Sequence, residues 1–248
     1  MLAIIGGSGM TQLSCLEISH RQIIRTPYGE PSGPFTFGKV NDYEIVFLAR
    51  HGHGHTIPPH LVNYRANLWA LNTLKPKYVI AVAAVGGIRE DMVPGKLVIP
   101  DQIIDYTHGR DSTYFNTTDE PVTHIDFTYP YCSATRAQLF KAAKLAGESV
   151  IDGGVYAAVQ GPRLETAAEI NRLERDGADM VGMTGMPETA LARELGLNYA
   201  TLAVVANHAA GRGTNIAAVP LKEIFVVLEA AMVHVRNIIE HLVNCYGD

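Results

Sequence analysis

The segment from Leu48 to Pro59 contains the side chains with the clearest chemistry. An apolar run that predicts a strand ends there, and Arg50 and His51 follow it directly, with His53 and His55 separated by single glycines. The guanidinium of Arg50 is therefore expected at the exposed start of a glycine-rich loop. Its fork of N–H donors matches the geometry of an oxyanion such as phosphate. The segment predicts an anion-binding site.

Two other interpretations of the same segment remain open. On an extended chain the three histidines would share one face, and three imidazoles could hold zinc. The intervening glycines and the lack of an obvious fourth ligand nearby disfavour a metal site. The segment could also be a solvated loop without a ligand. The residue types favour anion binding over both.

Four further turns follow apolar strands or open helices. Gly6-Gly7-Ser8-Gly9 offers backbone amides and a hydroxyl that could cradle phosphate. Gln12 stands where a dinucleotide-binding motif would have its third glycine, so that motif is absent. A second glycine-rich turn covers residues 83–87, and either could be only a tight turn. The third turn, 160–166, opens a helix.

The fourth turn, 182–188, places Thr184 just before a helix, where hydroxyl and amide donors converge on an anion. Asn207 closes the last strand with a polar amide after an apolar run. Open α/β sheets bind ligands outside the carboxyl ends of their strands. These turns are therefore expected to meet at one site.

The elements that position these turns alternate between strand and helix. The strands have continuous Val/Ile/Ala character, which predicts cover on both faces of the sheet. The expectation is an α/β fold in a single domain, 1–248, with a central mixed β-sheet flanked by helices. Predicted strands are 1–5, 43–49, 78–85, 96–104, 154–159, 180–182 and 198–205; predicted helices are 62–74, 133–145, 165–176, one between Pro187 and Gly196, and 221–243.

Residues 106–131 are polar, aromatic and irregular. A loop of that length in a compact domain is usually functional or lies at an interface.

Composition excludes several classes of protein. The 248 residues are 47% apolar and carry a net charge of −5. The sequence has no block of basic residues, which argues against nucleic acid as the main partner. No apolar run approaches the roughly 20 residues of a membrane span. The first five residues lack the basic region of a signal peptide. Cys15, Cys132 and Cys245 are scattered and are expected to be reduced thiols in a cytoplasmic protein.

The motifs occur in a recognisable order over nearly the whole chain. They are IIGGSG at 4–9, ARHG with His55 at 49–55, VNYRANLWAL at 62–71, GPR at 161–163, and GMT with Pro187-Glu188 at 182–188. In this order the chain resembles the trimeric branch of the nucleoside phosphorylases, which includes purine nucleoside and methylthioadenosine phosphorylases. Over the first two thirds the methylthioadenosine enzymes are the more similar.

The resemblance implies a pentosyltransferase that performs reversible phosphorolysis, in which phosphate attacks the anomeric carbon of a purine nucleoside and the purine leaves. Phosphate is itself the nucleophile, so the protein must position it and stabilise the departing base, and no cofactor or metal is implied. A homotrimer is implied as well. By resemblance Met183 contacts the ribose, and the phosphate ligands are Ser8, Arg50, His51, Thr184 and the backbone of Ala84. Ala83 departs from the threonine usual in the methylthioadenosine branch.

The base pocket is expected to favour a 6-oxopurine. Asn207 and Ala209 stand where the adenine-preferring branch has two aspartates, and the purine nucleoside branch shares both the asparagine and Glu165-Thr166. A Glu165 carboxylate can accept from N1–H of a 6-oxopurine, whereas it would repel the bare N1 of adenine, a mismatch of about 2–4 kcal/mol. Alternatively, Glu165 is an ordinary acid at a helix N-terminus and Asn207 a turn residue.

The sugar pocket is expected to accept a methylthio group. His124 matches a histidine that a neighbouring subunit contributes in the methylthioadenosine branch. Val219, Leu221 and Ile224 are expected as an apolar lining, or alternatively as plain helix core. Together the two pockets predict phosphorolysis of S-methyl-5′-thioinosine to hypoxanthine and 5-methylthioribose 1-phosphate, in purine salvage. A methylthioadenosine or general 6-oxopurine nucleoside phosphorylase is the alternative, and a non-catalytic nucleotide-binding protein is a third.

Overall fold

The computed structural model describes residues 1–8, 10, 15–118, 121–216, 218–219 and 221–245. Within these residues all five predicted helices form, and so do the predicted strands, one of them as two separate strands. The structure adds the strands Glu17–Gln22, Phe35–Val40 and Val150–Asp152 and a short 3₁₀ turn at Pro59–Leu61. The strands are β1 Leu2–Gly6, β2 Glu17–Gln22, β3 Phe35–Val40, β4 Tyr43–Ala49, β5 Tyr78–Gly87, β6 Leu97–Ile99, β7 Gln102–Asp105, β8 Val150–Asp152, β9 Val155–Ala158, β10 Met180–Gly182 and β11 Tyr199–His208. The helices are α1 Tyr64–Thr73, α2 Ser133–Leu145, α3 Ala167–Arg175, α4 Gly185–Glu194 and α5 Leu221–Asn244.

The sheet is mixed, and its centre is parallel. Strands β4, β1, β5 and β11 lie side by side in parallel, with Ile5 opposite both Leu48 and Ala81. Strand β5 is long enough to pair with β1 along its first half and with β10 at its end. Because the central strands are parallel, their carboxyl ends meet at one edge of the sheet. Gly7 and Arg50 follow β1 and β4 at this edge, and Asn207 lies there at the end of β11.

Helices cover both faces of the sheet, as the apolar strands predict. Alternate residues of a strand point to opposite faces. Leu2 and Ile4 of β1 therefore pack in a cluster with α2 and α5, whereas Ala3 and Ile5 pack in a cluster with α1 and α4. The result is an α/β architecture with its central mixed sheet between helical layers.

One predicted strand, 96–104, was wrong as a single element. The chain forms β6 and β7 instead, and these pair with different neighbours, β6 with β11 and β8, and β7 with β9. Pro100 separates them, since it has no N–H to continue the ladder. The Pro100 carbonyl accepts a hydrogen bond from Arg136 Nε at 3.0 Å.

The helix starts are set by caps. Asn63 accepts from the Ala66 amide at 3.0 Å and begins α1, and Thr166 with Glu169 forms a capping box that begins α3. The described parts of the 106–131 segment contain neither helix nor strand, as expected. In the described part of the chain, even the 24-residue α5 does not meet the length and hydropathy required to cross a membrane.

Candidate active site

A cavity of about 400 Å³ opens at the carboxyl edge of the central strands. It is bounded by the turns after β1, β4, β9 and β10, by the ends of β5 and β11, and by the first turns of α5. The five residues that the resemblance assigns to phosphate all line it, which brings together positions more than 170 residues apart in the sequence. They are Ser8, Arg50, His51, Ala84 and Thr184.

Arg50 lies in the floor of this cavity and is only 1% exposed. Its Nε and Nη2 donate to the Glu188 carboxylate at 2.6 and 2.8 Å, and its Nη1 donates to the Val82 carbonyl at 3.0 Å. Burial works against the charged guanidinium, but the Glu188 carboxylate raises the pKa of Arg50, so Arg50 remains protonated. The expectation that Arg50 stands at an exposed loop start was wrong, because β4 delivers it beneath the β1 turn.

The glycine at position 7 explains how a buried arginine can still reach the cavity. A Cβ at Gly7 would lie 2.9 Å from Arg50 Nη1 and 2.5 Å from the Val82 carbonyl oxygen. Only a residue without a side chain lets the β1 turn pass this close to the guanidinium.

His51 lies beside Arg50, is 5% exposed, and has its Nδ1 2.8 Å from the Ile57 carbonyl. Burial and the neighbouring Arg50 charge lower the pKa of His51 to about 4, so the ring is neutral near pH 7. A carbonyl can only accept, so Nδ1 carries the proton in this arrangement, and Nε2 is left with a lone pair. His51 is therefore suited to accept from a protonated phosphate oxygen or a sugar hydroxyl.

The three histidines do not converge on one point, so the geometry does not support the zinc alternative. Gly52 and His55 both have positive φ angles, 75° and 52°, which fold the segment into a turn. The His51 and His55 rings lie close together in it, with centroids 4.7 Å apart. His53 is exposed, and Nδ1 of His51 is already engaged with Ile57. Among the described residues, no group of three or more His, Cys, Asp or Glu side chains is arranged to hold a metal ion.

Thr184 and Ser8 add hydroxyl groups to the cavity. Thr184 is 8% exposed and stands at the N-cap of α4, but its side chain makes no capping hydrogen bond. Ser8 Oγ is 3.5 Å from His55 Nε2, at the more open side. Met186 has non-helical backbone angles, so the regular part of α4 begins after it, and Thr184 stands in the turn that leads into this helix.

Glu165 lines the cavity at the residue just before the N-cap of α3. The acid that caps this helix is Glu169, which lies in the first turn and accepts from the Thr166 amide at 2.8 Å. Glu165 lies at the N-terminus of α3 without capping it, so its position is consistent both with a base-binding role and with an ordinary acid at a helix N-terminus. Burial raises the pKa of its carboxyl.

Asn207 also lines the cavity, at the end of β11. The register of β11 against β5 shifts between Val205 and Asn207, and such an irregularity can re-aim a side chain. Asn207 Nδ2 donates to the His208 carbonyl at 2.6 Å, and Asn215 Nδ2 donates to the same oxygen at 2.5 Å. These bonds leave the second Nδ2 hydrogen and the Oδ1 of Asn207 for a ligand.

Several predicted substrate contacts lie elsewhere. Ala209 is 1% exposed, packs in an apolar cluster and is not among the residues that line the cavity, so its contact with substrate remains a prediction. Val219 and the exposed His124 are not among the lining residues of their own chain. The side chain of Leu221 lies outside the described part. Met183 lines the cavity as expected.

Helix α5 supplies an apolar wall of the cavity. One residue of this wall, Ile224, was predicted from the sequence. Ile224 lines the cavity, together with Phe225 and Leu228, which the sequence did not single out. Leu228 is also part of the core cluster around α5. Ile224 likewise lines the cavity and packs against this cluster, so cavity lining and helix core do not exclude each other here.

Two charged residues near the cavity were not assigned a role from the sequence. Glu188 is 1% exposed and accepts from Arg50 and, at 2.8 Å, from the Tyr199 hydroxyl. The available signal was its place in the Pro187-Glu188 motif directly after the Thr184 turn. An acid at that point is readily explained by the helix dipole alone, so the motif does not reveal that Arg50, directly after β4, is its partner.

Arg110, in the 106–131 segment, ties that segment to the cavity turns. Its guanidinium donates to the carbonyls of Gln160 at 2.8 Å, Met183 at 2.8 Å and Met186 at 2.6 Å. It also lies over the Tyr64 ring, 5.6 Å from the centroid. The turns that carry Glu165 and Thr184 are thereby joined to one side chain of the long loop.

Comparison with known proteins agrees with this geometry. The chain is 56% identical over 214 residues to a probable S-methyl-5′-thioinosine phosphorylase of Pseudomonas syringae pv. tomato, covering 86% of this chain and 87% of that one. It is 48% identical over 215 residues to a 6-oxopurine nucleoside phosphorylase of Pyrococcus furiosus, covering 85% and 80%. The structure is similar to a methylthioadenosine phosphorylase from Schistosoma mansoni in complex with adenine, with a TM-score of 0.94, 34% identity, and coverage of 99% and 91%.

A family model also matches residues 1–244, nearly the full length of the chain. The order of the motifs, the cavity at the carboxyl edge of the sheet and these relatives agree, and the chain belongs to the phosphorylase superfamily.

Proposed function

We propose that this protein is a pentosyltransferase that cleaves S-methyl-5′-thioinosine with phosphate, reversibly, to hypoxanthine and 5-methylthioribose 1-phosphate. The observation that carries the proposal is that Glu165 and Asn207 line the same cavity as Arg50 and Thr184. One site thus combines groups suited to an oxyanion with groups suited to a 6-oxopurine.

The base-binding groups discriminate by their hydrogen-bonding capacity. A Glu165 carboxylate accepts from the N1–H of hypoxanthine, and it would face a second acceptor at N1 of adenine. An unmade bond of this kind in a buried site costs about 1–3 kcal/mol, more where a charge is involved. The free N–H of the Asn207 amide can donate to N7 or O6 as negative charge develops on the leaving base, and its Oδ1 can accept from N7 once that nitrogen is protonated.

The apolar wall of α5 suits a methylthio group better than a hydroxyl. Ile224, Phe225 and Leu228 offer no hydrogen-bonding side-chain atoms to a 5′-hydroxyl, so a 5′-hydroxyl there would lose its bonds to water. A thioether loses little on leaving water and gains contact with apolar carbon. The name of the relative from Pseudomonas syringae supports this choice.

The chemistry requires positioning and electrostatics rather than an activated protein nucleophile. Phosphate attacks the anomeric carbon while the bond to the purine nitrogen breaks, and the transition state carries positive charge on the sugar and negative charge on the base. Arg50, Thr184 and Ser8 orient the phosphate, and Asn207 stabilises the leaving base. Inorganic phosphate is the co-substrate, and we propose that no cofactor or metal takes part.

We further propose a cytoplasmic homotrimer. Support for assembly comes from the family resemblance and from the 106–131 segment, where Val122 is 81% and Tyr129 72% exposed, and where the exposed His124 is not among the residues that line its own cavity. In a trimer His124 would complete a neighbour's sugar pocket. Support for the compartment comes from Cys15, Cys132 and Cys245, which are all unpaired.

The test is a phosphate-dependent assay of base release across methylthioinosine, methylthioadenosine, inosine and adenosine. We expect the highest kcat/KM with methylthioinosine. A preference for methylthioadenosine would contradict the base-pocket argument. No release from any of the four would favour a non-catalytic binding protein, since binding residues alone do not make an enzyme.

The second candidate is a general 6-oxopurine nucleoside phosphorylase. It is favoured by the identity to the Pyrococcus furiosus enzyme and shares the Glu165 and Asn207 argument. Equal kcat/KM for inosine and methylthioinosine would support it over the first.

A further inference from the structure

The contacts of Arg50 with Glu188 and Val82 determine how many of its N–H donors remain for an anion. A guanidinium has five N–H groups. Glu188 takes two of them and the Val82 carbonyl takes one. One N–H remains on each of Nη1 and Nη2, so the orientation of the whole group decides whether both face the cavity.

That orientation is fixed by a chain of contacts that leads away from the cavity. Glu188 Oε2 and Oε1 hold one edge of the guanidinium, and the Tyr199 hydroxyl donates to Oε1 at 2.8 Å. Tyr199 is 2% exposed and sits at the start of β11, whereas Glu188 sits on α4. Neither Glu188 nor Tyr199 lines the cavity. They act on a ligand only through Arg50.

We propose that Glu188 is a positioning residue for the phosphate site, that it holds Arg50 so that its two remaining N–H donors face the anion, and that Tyr199 supports Glu188 in this role. The inference rests on the proposed function only in taking phosphate as the anion. It also means that Arg50 contributes directed donors rather than a net charge, because Glu188 neutralises the pair. Directional donors distinguish a tetrahedral oxyanion by geometry, where an unpaired charge would attract any anion.

The test compares Glu188→Gln, Tyr199→Phe and Tyr131→Phe with the wild type. Glutamine keeps the shape of Glu188 but presents an N–H₂ to one guanidinium donor, so it cannot hold both. Tyr199→Phe removes only the supporting hydroxyl. Tyr131→Phe is the matched control, since its ring stacks on Tyr199 with centroids 6.3 Å apart and its hydroxyl has no hydrogen-bond partner in the described part of the chain.

Two readouts are measured for each variant. The first is the affinity for inorganic phosphate alone, by calorimetric titration. The second is a pair of Michaelis constants, the KM for phosphate and the KM for nucleoside at saturating phosphate. We expect Glu188→Gln to weaken phosphate at least about tenfold and Tyr199→Phe about two- to fivefold, as for lost hydrogen bonds to a charged group. The nucleoside KM should change less than about twofold, and Tyr131→Phe should match the wild type.

The outcomes separate this inference from the proposed function. A folded Glu188→Gln protein that binds phosphate as well as or better than the wild type would overturn the positioning role, because the freed Arg50 would then be the better ligand. If Glu188→Gln does not fold, the comparison of Tyr199→Phe with Tyr131→Phe decides, and equal phosphate affinity in the two overturns the inference. If the wild type releases no base, the proposed function fails, while the phosphate titration still decides the role of Glu188.

Discussion

At the scale of single residues, the buried Arg50–Glu188 pair changes what a substitution at Arg50 measures. Arg50→Ala removes a phosphate donor, and it also leaves the Glu188 carboxylate buried at 1% exposure with only the Tyr199 hydroxyl as a partner. An uncompensated buried charge of this kind costs about 3–5 kcal/mol of folding stability. We expect a large loss in chemical denaturation, and not the intact fold that an exposed Arg50 would predict.

A double variant separates the two effects. Arg50→Met with Glu188→Leu removes both charges, and stability should recover by at least about 1–2 kcal/mol relative to Arg50→Ala, since an apolar pair of similar volume often replaces a buried ion pair. Phosphate affinity should remain low, because the donors are still absent. A stable double variant with the phosphate KM of the wild type would show that Arg50 is not a phosphate ligand.

Base choice depends on Glu165 and Asn207, and it is tested by exchanging both. Asn207→Asp with Glu165→Ser removes the carboxylate facing N1 and provides an acid that can donate to N7. The ratio of kcat/KM for methylthioinosine to that for methylthioadenosine should fall at least about tenfold, or ~1.4 kcal/mol. Ala209 packs behind the cavity, so we expect a shift rather than a full conversion. An unchanged ratio would contradict the base-pocket argument.

The pH dependence of base choice follows from the burial of Glu165. Burial raises the pKa of this carboxyl, so on acidification it becomes protonated at a higher pH than an exposed glutamate would. Only the carboxylate accepts from N1–H of a 6-oxopurine, whereas the protonated acid can donate to N1 of adenine. The preference for methylthioinosine should therefore decline as pH falls, measured as the ratio of kcat/KM from pH 8 to 5. In Glu165→Gln this decline should be absent.

The site residues show which chemistry can be predicted from a sequence. Arg50, Thr184 and Asn207 each end an apolar run and precede a turn, so local pattern was enough to place them in one site. Glu188 was missed because its role depends on Arg50, 138 positions away in the chain. Ala209 lies just beyond the end of β11, and its nearly complete burial could not be predicted from the sequence around Asn207.

At the scale of secondary structure, long apolar runs made an element predictable, and burial alone did not, since β3 was missed although four of its six residues are buried. Strands β4 and β10 match their predicted bounds, since their apolar runs are covered on both faces. Strand β2 was missed because all six of its residues are exposed and its sequence, EISHRQ, has no apolar alternation. Strand β8 has three residues, too few to show a period.

The turn from His51 to Ile57 makes a prediction about metal. His51 and His55 lie close together, with ring centroids 4.7 Å apart, but His51 Nδ1 is bound to the Ile57 carbonyl, and the described residues provide no group of three possible metal ligands. Treatment with a chelator followed by gel filtration should leave the phosphorolysis rate unchanged. Loss of activity that zinc restores would instead show that the histidines gather around an ion.

At the scale of the whole molecule, the proposed homotrimer predicts shared sites. His124→Ala should weaken methylthio substrates, although His124 does not line its own cavity. Thr184→Val should disable the phosphate site of its own chain. In trimers reassembled from equal amounts of the two variants, about one quarter of the sites would combine an intact Thr184 with a neighbour's intact His124, so activity should reappear on mixing.

Sedimentation under assay conditions provides the control for this experiment. Dilution to monomer should abolish turnover of methylthio substrates. A monomer with full activity, or mixed variants that are no more active than the average of the two, would contradict shared sites.

Arg110 gives the assembly a further property. The loop that would lend His124 to a neighbour is tied by this one guanidinium to the carbonyls of Gln160, Met183 and Met186, in the turns of its own cavity. A ligand that tightens those turns would also restrain the loop that the next subunit borrows. Substrate binding to the three subunits would then be cooperative, because an occupied subunit would order the loop that its neighbour uses. Arg110 would carry this coupling.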